Sequence, residues 1–285
     1  MVTTRLPGFI LNQPLASPSL WKPELSESQQ QNRTSKPGAY EIKFLIQESI
    51  LEQLIPSIAA RMQLDPHANP QTGGYTVEGI YFETLDGDVY RRSPGYLRRK
   101  FRIRRYSGGP NIFLERKSKR KGIVSKRRTQ LETSELANLL DRTLGLTSNA
   151  LWDDSSEPPL ELNRNTEVDW FSRRIKRLKL RPMLCLNYDR IAYLQMDKLG
   201  PIRLTIDRSL GCCTMEQSQF PEKLAYRKIL EGKCVVEMKY RESIPTVFRE
   251  VIDEFKLVSQ PVSKFRNAIV VAGLATDEPP SEGTS

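Results

Sequence analysis

The stretch RRKFRIRRYSGGPNIFLERKSKRKGIVSKRR, residues 98–128, concentrates the chemistry this sequence can offer. Residues 91–128 hold 16 Lys and Arg against one acid, Glu115. Two like charges about 6 Å apart at an effective dielectric of about 20 repel by roughly 3 kcal/mol. A cluster this dense is unstable unless water, carboxylates or a bound anion neutralises it. Spacing says where the charges point. Side chains alternate faces along a strand, so Lys100, Arg102 and Arg104 share one face while Phe101 and Ile103 share the other. Glu115, Lys117 and Lys119 fall together in the following segment, and Lys126 stands in the basic run after it. Glu41 and Lys43 lie opposite Tyr40, Ile42 and Phe44, and Tyr188 shares a parity with Arg190. Arg203, Thr205 and Asp207 oppose Ile202, Leu204 and Ile206, and Glu237 and Lys239 oppose Val236, Met238 and Tyr240.

Strands with one charged and one apolar face fit an antiparallel sheet whose charged side meets solvent. They also fit a closed or nearly closed barrel with the charged face inward and helices packed outside. The cationic bias and the supply of amphipathic helices favour the barrel. Its interior would be wet and suited to a polyanion, with Arg giving bidentate and Lys point-charge contacts to phosphate oxygens. A carboxylate such as Glu237 would hold a divalent cation bridging phosphates, while Asp207 is either a second carboxylate beside it or an ion-pair partner. Phosphoryl transfer asks a protein mainly for positioning and charge stabilisation. That suits a chain whose one histidine, His67, sits in the loop-like DPHANPQTGG. His-based triads and His-rich metal sites are excluded.

The elements that must carry these residues alternate as strand, helix, strands, helices, strands, helices, an α+β pattern. YEIKFLI (40–46) reads as a strand. QESILEQLIPSIAARMQL (47–64) then places Ile50, Leu51, Leu54, Ile55, Ile58 and Met62 on one helical stripe, with Pro56 as a kink or break. YTVEGIYFET ends in an Asp-Gly turn, and 96–106 and 112–120 form a hairpin across Gly-Gly-Pro. Residues 133–147 and 168–180 read as helices; 181–194, 200–210 and 232–240 as strands; 244–257 as an amphipathic helix; and 263–274 closes the ordered part. Residues 1–38, with five prolines, and 275–285 read as loosely attached tails around a domain spanning 39–274. The 285 residues carry net charge +10, with pI about 9.5 and mean hydropathy −0.49, which points to anionic partners. Four cysteines without metal or disulfide spacing favour a reducing, cytoplasmic setting. No apolar run approaches a membrane span and no signal peptide is legible. WFSRRIKRLKLR (170–181) is a basic amphipathic segment, suited to guiding a polyanion, to an anionic membrane, or to plain solvation.

Taken in order, YEIKF, IYFET, RKFRIRRY, FLERKSKRKG with SKRR, YDRIAY, IRLTIDRSL, VVEMKY and SKF resemble the VTC domain, the polyphosphate polymerase domain of the vacuolar transporter chaperone family. That domain belongs to the triphosphate tunnel metalloenzyme (CYTH-like) superfamily. The resemblance spans about Tyr40 to Ala272 and implies an antiparallel tunnel barrel binding ATP and inorganic polyphosphate inside. Matched to the family's motifs, Lys43, Arg102, Arg104, Lys117, Lys126, Arg190, Arg203 and Lys264 are implied as the catalytic cations. Tyr188, Ser263 and Lys119 are implied as substrate contacts, and Glu237 as the ligand of Mn²⁺ or Mg²⁺. The superfamily's Glu-x-Glu-x-Lys start is incomplete, since position 39 is Ala. That departure fits the polymerase-like branch better than the triphosphatase or cyclase branches.

The reading that results is a metal-dependent polyphosphate polymerase in a stand-alone version without the SPX domain and membrane helices of the eukaryotic complex. A peripheral or membrane-protein partner and the oligomeric state stay open. The rivals are a tunnel-type inorganic triphosphatase and a non-catalytic polyanion-binding module. Specific nucleic-acid binding is disfavoured because the basic strands interleave few aromatics for base stacking.

Overall fold

The computed structural model describes residues 39–96, 99–107, 109–120, 123–144, 166–215, 220–221 and 226–275. The tails expected at 1–38 and 275–285 lie outside the described residues, apart from Ala275. In chain order the elements are β1 (Tyr40–Gln47), α1 (Leu51–Ala59), β2 (Gln63–Leu64), β3 (Tyr75–Glu83), α2 (Asp88–Arg91) and β4 (Arg99–Tyr106). There follow β5 (Asn111–Arg120), β6 (Ile123–Glu132), α3 (Leu136–Leu144), α4 (Thr166–Arg177), β7 (Arg181–Asp197) and β8 (Gly200–Thr214). The last are β9 (Arg227–Lys228), β10 (Lys233–Tyr240), α5 (Thr246–Glu254) and α6 (Lys264–Val271).

All ten strands join one sheet ordered β1-β10-β8-β7-β3-β4-β5-β6, with β2 on β7 and β9 on β8. Every pairing is antiparallel. The sheet curls until its two ends meet, but among the described residues no backbone ladder joins β1 to β6. Two devices close the seam instead. Lys117 on β5 reaches across to the Glu41 carboxylate on β1 at 2.8 Å. The segment before α6 lies along the free edge of β1: Ser259 bridges Phe44, Gln260 N–H donates to the Lys43 carbonyl at 2.9 Å, and its side-chain amide donates to the Leu45 carbonyl. An exposed edge is thereby covered, and Ser263 and Lys264 are delivered inside.

The apolar faces point outward, under helices. Leu51, Leu54 and Ile58 of α1 and Phe248 and Val251 of α5 pack on Phe44, Ile202, Leu204, Ile206, Val236 and Met238. Leu139 and Leu140 of α3 and Phe171 and Ile175 of α4 pack on Ile80, Phe101, Ile103 and Leu114, while Phe265 of α6 stacks on Tyr81 on the inner side. Burying a side chain of this size is worth about 1.5–3 kcal/mol. The two exterior cores are what let a charged interior exist.

Three local expectations need correction. The helix expected over 47–64 is a 3₁₀ turn at Glu48–Ile50 followed by α1, and Gln63 and Leu64 pair with β7 as a short strand. Pro56 does not end α1, which continues to Ala59. Pro56 and Glu52 share the exposed face, so water can take the Glu52 carbonyl that loses its partner. The Asp-Gly turn after β3 is real, with Gly87 at φ 75, but it opens the one-turn helix α2. The buried Glu83 carboxylate caps that turn by accepting the Val89 and Tyr90 N–H groups at 2.8 Å each. The four cysteines are free and buried.

Candidate active site

The charged faces converge on one cavity of about 300 Å³ inside the curled sheet. Eleven Lys and Arg line it, against two carboxylates, Glu41 and Glu237. Three further acids stand in its wall, each engaged by cations. They divide the site into clusters.

Glu115, fully buried on β5, is the hub of the first. Its carboxylate accepts from Arg102 at 2.6 Å, Lys126 at 2.6 Å and Arg128 at 3.0 Å, with Arg104 at 3.9 Å. Burial opposes ionisation, yet these four cations hold the acid well below the usual carboxylate range. One anion among four cations leaves the cluster electron-poor. Phenols make up part of the deficit: Tyr81 OH accepts from Arg102 at 2.9 Å, Tyr188 OH from Arg104 at 3.2 Å, and Tyr106 OH from Arg128 at 2.8 Å. Although burial raises the Tyr106 phenol, Arg104 and Arg128 pull it down to about 7. Arg104 Nε, buried, has no partner among the described residues, so a donor is left over for a ligand oxygen.

Asp207 organises the second cluster. Arg190 grips it with two bonds of 2.6 and 2.7 Å, and Lys264 approaches to 2.6 Å. Burial resists ionisation, but Arg190 and Lys264 hold the acid well below its normal value. Asp207 is thus engaged as an ion-pair partner of Arg190 and Lys264. The Tyr188 ring lies under both cations, 5.3 Å from Arg190 and 5.2 Å from Lys264.

The third cluster joins Glu41 and Glu237. Lys43 bridges them at 3.0 and 3.4 Å, Lys117 holds Glu41, and Lys239 holds Glu237 at 2.8 Å. Burial notwithstanding, Lys239, Lys43 and Lys117 keep Glu237 well below the carboxylate norm. Burial lowers Lys117 to about 8, and burial with its guanidinium neighbours lowers Lys126 to about 7 against the pull of Glu115. Arg203 stands at the margin, bonded to Asp65 at 2.9 Å and Tyr75 OH at 2.8 Å.

Of the residues predicted from sequence, the structure gathers Lys43, Arg102, Arg104, Lys117, Lys126, Tyr188, Arg190, Arg203, Glu237, Ser263 and Lys264 around this cavity. Lys119 lies two residues beyond Lys117 on β5, opposite Val124, and its side chain is outside the described residues. His67 is exposed in a turn, away from the chemistry. Sequence reasoning left out Lys100, Arg128, Lys239, Tyr81 and Tyr106 as site residues. The parity that placed Arg102 and Arg104 also placed Lys100, and Lys126 implied Arg128; only the tyrosines looked like core. Lys100 has no carboxylate partner among the described residues. Its Nζ donates to Ser263 Oγ at 2.8 Å and lies 5.2 Å from the Phe265 ring. Burial and its neighbours Lys43, Lys117 and Arg102 hold it well below the lysine norm.

A second cavity, of about 250 Å³, lies between the end of β3 and the end of α6. Its one carboxylate, Glu83, is consumed by three backbone N–H groups, so no comparable charge converges there. Among the described residues no helix is long and apolar enough to cross a membrane.

The family model described as the VTC domain matches residues 38–272. No curated protein matches the chain in sequence. Among solved structures, a candidate adenylate cyclase from Bacillus halodurans aligns with TM-score 0.44 at 14% identity, over 79% of this chain and 95% of its own. A candidate adenylyl cyclase from Hippeastrum, described as having a dominant triphosphatase activity, aligns with TM-score 0.43 at 15% identity, over 82% and 96%. The PH1819 protein of Pyrococcus horikoshii aligns with TM-score 0.40 at 13% identity, over 81% and 94%. Likenesses this distant bear on neither substrate nor reaction.

Proposed function

Since the chain belongs to the VTC domain family, we propose that it is a metal-dependent polyphosphate polymerase. It transfers the γ-phosphoryl group of ATP to the end of a polyphosphate chain held in the channel. One observation supports this above the rest: eleven cations from eight different segments face one enclosed space with too few acids to neutralise them. A linear polyanion supplies the missing charge along its whole length. Arg102, Arg104 and Arg190 offer planar forks to non-bridging oxygens, while Lys43, Lys117, Lys126 and Lys264 adapt as the chain advances.

The donor set also fits a divalent ion. Among the described residues no three acids, cysteines or histidines converge. Mn²⁺ and Mg²⁺, however, are commonly held by one or two carboxylates, with phosphate oxygens and water completing the shell. Glu237, with Glu41 beside it, is such a pair, and Lys43 touches both. A bound ion would orient the donor triphosphate and neutralise charge developing on the transferred group. The chain's own part is to align donor and acceptor and to exclude water, with Lys43, Lys117 and Lys239 freed from the carboxylates to engage phosphate. No side-chain nucleophile is required.

Protein incubated with ATP and Mn²⁺ is expected to build long polyphosphate visible on a gel. Release of orthophosphate from tripolyphosphate, without polymer, would replace this reading with a triphosphatase. Glu237→Ala separates enzyme from binder: turnover should fall about a hundredfold, the upper end of the roughly 10–100-fold lost when even the partners of metal ligands are changed, while tripolyphosphate affinity is largely kept. Unchanged product formation by that variant would remove Glu237 from the site.

A further inference from the structure

The outer face of β4–β6 carries a second concentration of positive charge that the channel does not use. Alternation puts Arg99, Arg116 and Arg127 on the face opposite Lys100, Lys117 and Lys126. Helix α4, whose Phe171 and Ile175 are buried against this face, brings Arg174 to the same place. Four guanidiniums from four elements therefore crowd together outside the sheet. Among the described residues Arg99, Arg116 and Arg174 make no ion pair with any carboxylate, and Arg116 Nε is buried without a partner. Burial, followed by repulsion from Arg174, Arg127 and Arg99, holds Arg116 below the arginine norm. Arg127 is stacked 4.5 Å from the Trp170 ring, which fixes its position. Lys176 and Arg177 extend the exposed basic surface along α4.

A cluster of this kind is costly when nothing covers it. Its fork-shaped donors, the orphaned Nε of Arg116 and, for Arg99, Arg116 and Arg174, the lack of a carboxylate partner among the described residues match phosphate oxygens. Its position adds a direction. Arg99 and Lys100, Arg116 and Lys117, and Lys126 and Arg127 are consecutive residues on opposite faces of three adjacent strands. β5 ends at Arg120, three residues after Lys117 and about 10 Å away at the usual strand rise. A chain leaving the channel past Lys117 and Lys126 therefore has to cross only the rim of the sheet to reach the arginines.

We propose that Arg99, Arg116, Arg127 and Arg174 form a second oligophosphate site, which holds the stretch of inorganic polyphosphate lying outside the channel. It rests on the channel reading above, and its ligand is the polymer rather than the nucleotide. Long substrates would then be gripped at two places joined by one chain, so affinity should grow with length beyond what the channel alone can fill.

The test uses the full chain and the variant R99Q/R116Q/R174Q, which spares Arg127 because that residue also packs on Trp170. Binding is measured with tripolyphosphate and with long-chain polyphosphate. Three lost phosphate contacts should weaken long-chain binding by about tenfold and flatten its salt dependence. Tripolyphosphate binding should stand unchanged, and R99K/R116K/R174K should recover most of the long-chain affinity. Long-chain binding equal to wild type in the glutamine variant overturns the proposal, and so does equal loss with both probes. It also falls if the variant keeps long-chain affinity but releases phosphatidylglycerol vesicles that wild type binds, for then a membrane is the occupant. Should wild type fail to bind tripolyphosphate while long-chain binding still depends on the three arginines, the outer site stands and the channel reading fails.

Discussion

Glu115 shows how single residues set the terms of this molecule. A fully buried carboxylate among Arg102, Arg104, Lys126 and Arg128 is the anion that keeps the cationic wall together when no ligand is present. Removing one partner of a buried charge cluster costs about 3–5 kcal/mol, because the remaining charges lose their compensation. Glu115→Gln should lower the unfolding free energy by that order, measured by denaturant titration. Added tripolyphosphate should restore a larger share of stability to the variant than it adds to wild type, since it supplies the missing negative charge. Lys100 is the opposite case. It is a half-buried cation with no carboxylate partner among the described residues, held deprotonation-prone by desolvation and by Lys43 and Lys117. Lys100→Met should stabilise the ligand-free protein by about 1 kcal/mol while weakening tripolyphosphate binding, read together by thermal shift and calorimetry. Loss of stability in that variant would show that its bond to Ser263 outweighs the desolvation it suffers.

At the scale of elements, parity carried most of the sequence reading. Lys43 on β1, Arg102 and Arg104 on β4, Arg190 on β7, Arg203 on β8 and Glu237 on β10 could all be assigned to one face because a strand has only two. What alternation could not show was closure. The seam depends on the Lys117–Glu41 pair and on the segment from Ser259 to Ser263, contacts between residues 76 and more than 200 positions apart. Tyr81 and Tyr106 were hard to read for another reason: each lays a ring in the wall and only its hydroxyl in the site. Gly74 was also silent in the sequence. A Cβ there would sit 2.6 Å from the Arg190 carbonyl, so β3 and β7 approach closely at the point where Arg190 enters the channel. Gly74→Ala should therefore cost about 1–3 kcal/mol by forcing the backbone apart. It should also weaken phosphate binding several-fold through displacement of Arg190, in contrast to a surface Gly→Ala change with neither effect.

For the molecule as a whole, the free protein is a compromise between an apolar exterior shell that wants the sheet curled and an interior whose charges resist it. That conflict gives pH opposite effects on stability and on binding. Desolvation sets the partly exposed Lys126 near 7 and the more buried Lys117 near 8 in the folded chain, against about 10.4 when unfolded. Between those values the unfolded chain holds more protons, so ligand-free stability should rise as pH increases from about 7 towards 10. Phosphate binding has the reverse sign, since it needs both lysines charged; affinity for tripolyphosphate should fall across pH 6.5–9, and binding near pH 8 should take up protons. Calorimetry in two buffers of different ionisation enthalpy measures that uptake directly, and a thermal melt across the same range measures the stability. At the acid end Glu115, Asp207 and Glu237 all ionise more readily than in the unfolded chain. Their contribution is complete above about pH 4 and is lost as pH falls further. Uptake of no protons at pH 8, or a melting temperature that falls steadily from pH 7 to 9, would mean that the channel lysines are already fully charged in the free protein and that the cationic interior is far better solvated than its packing implies.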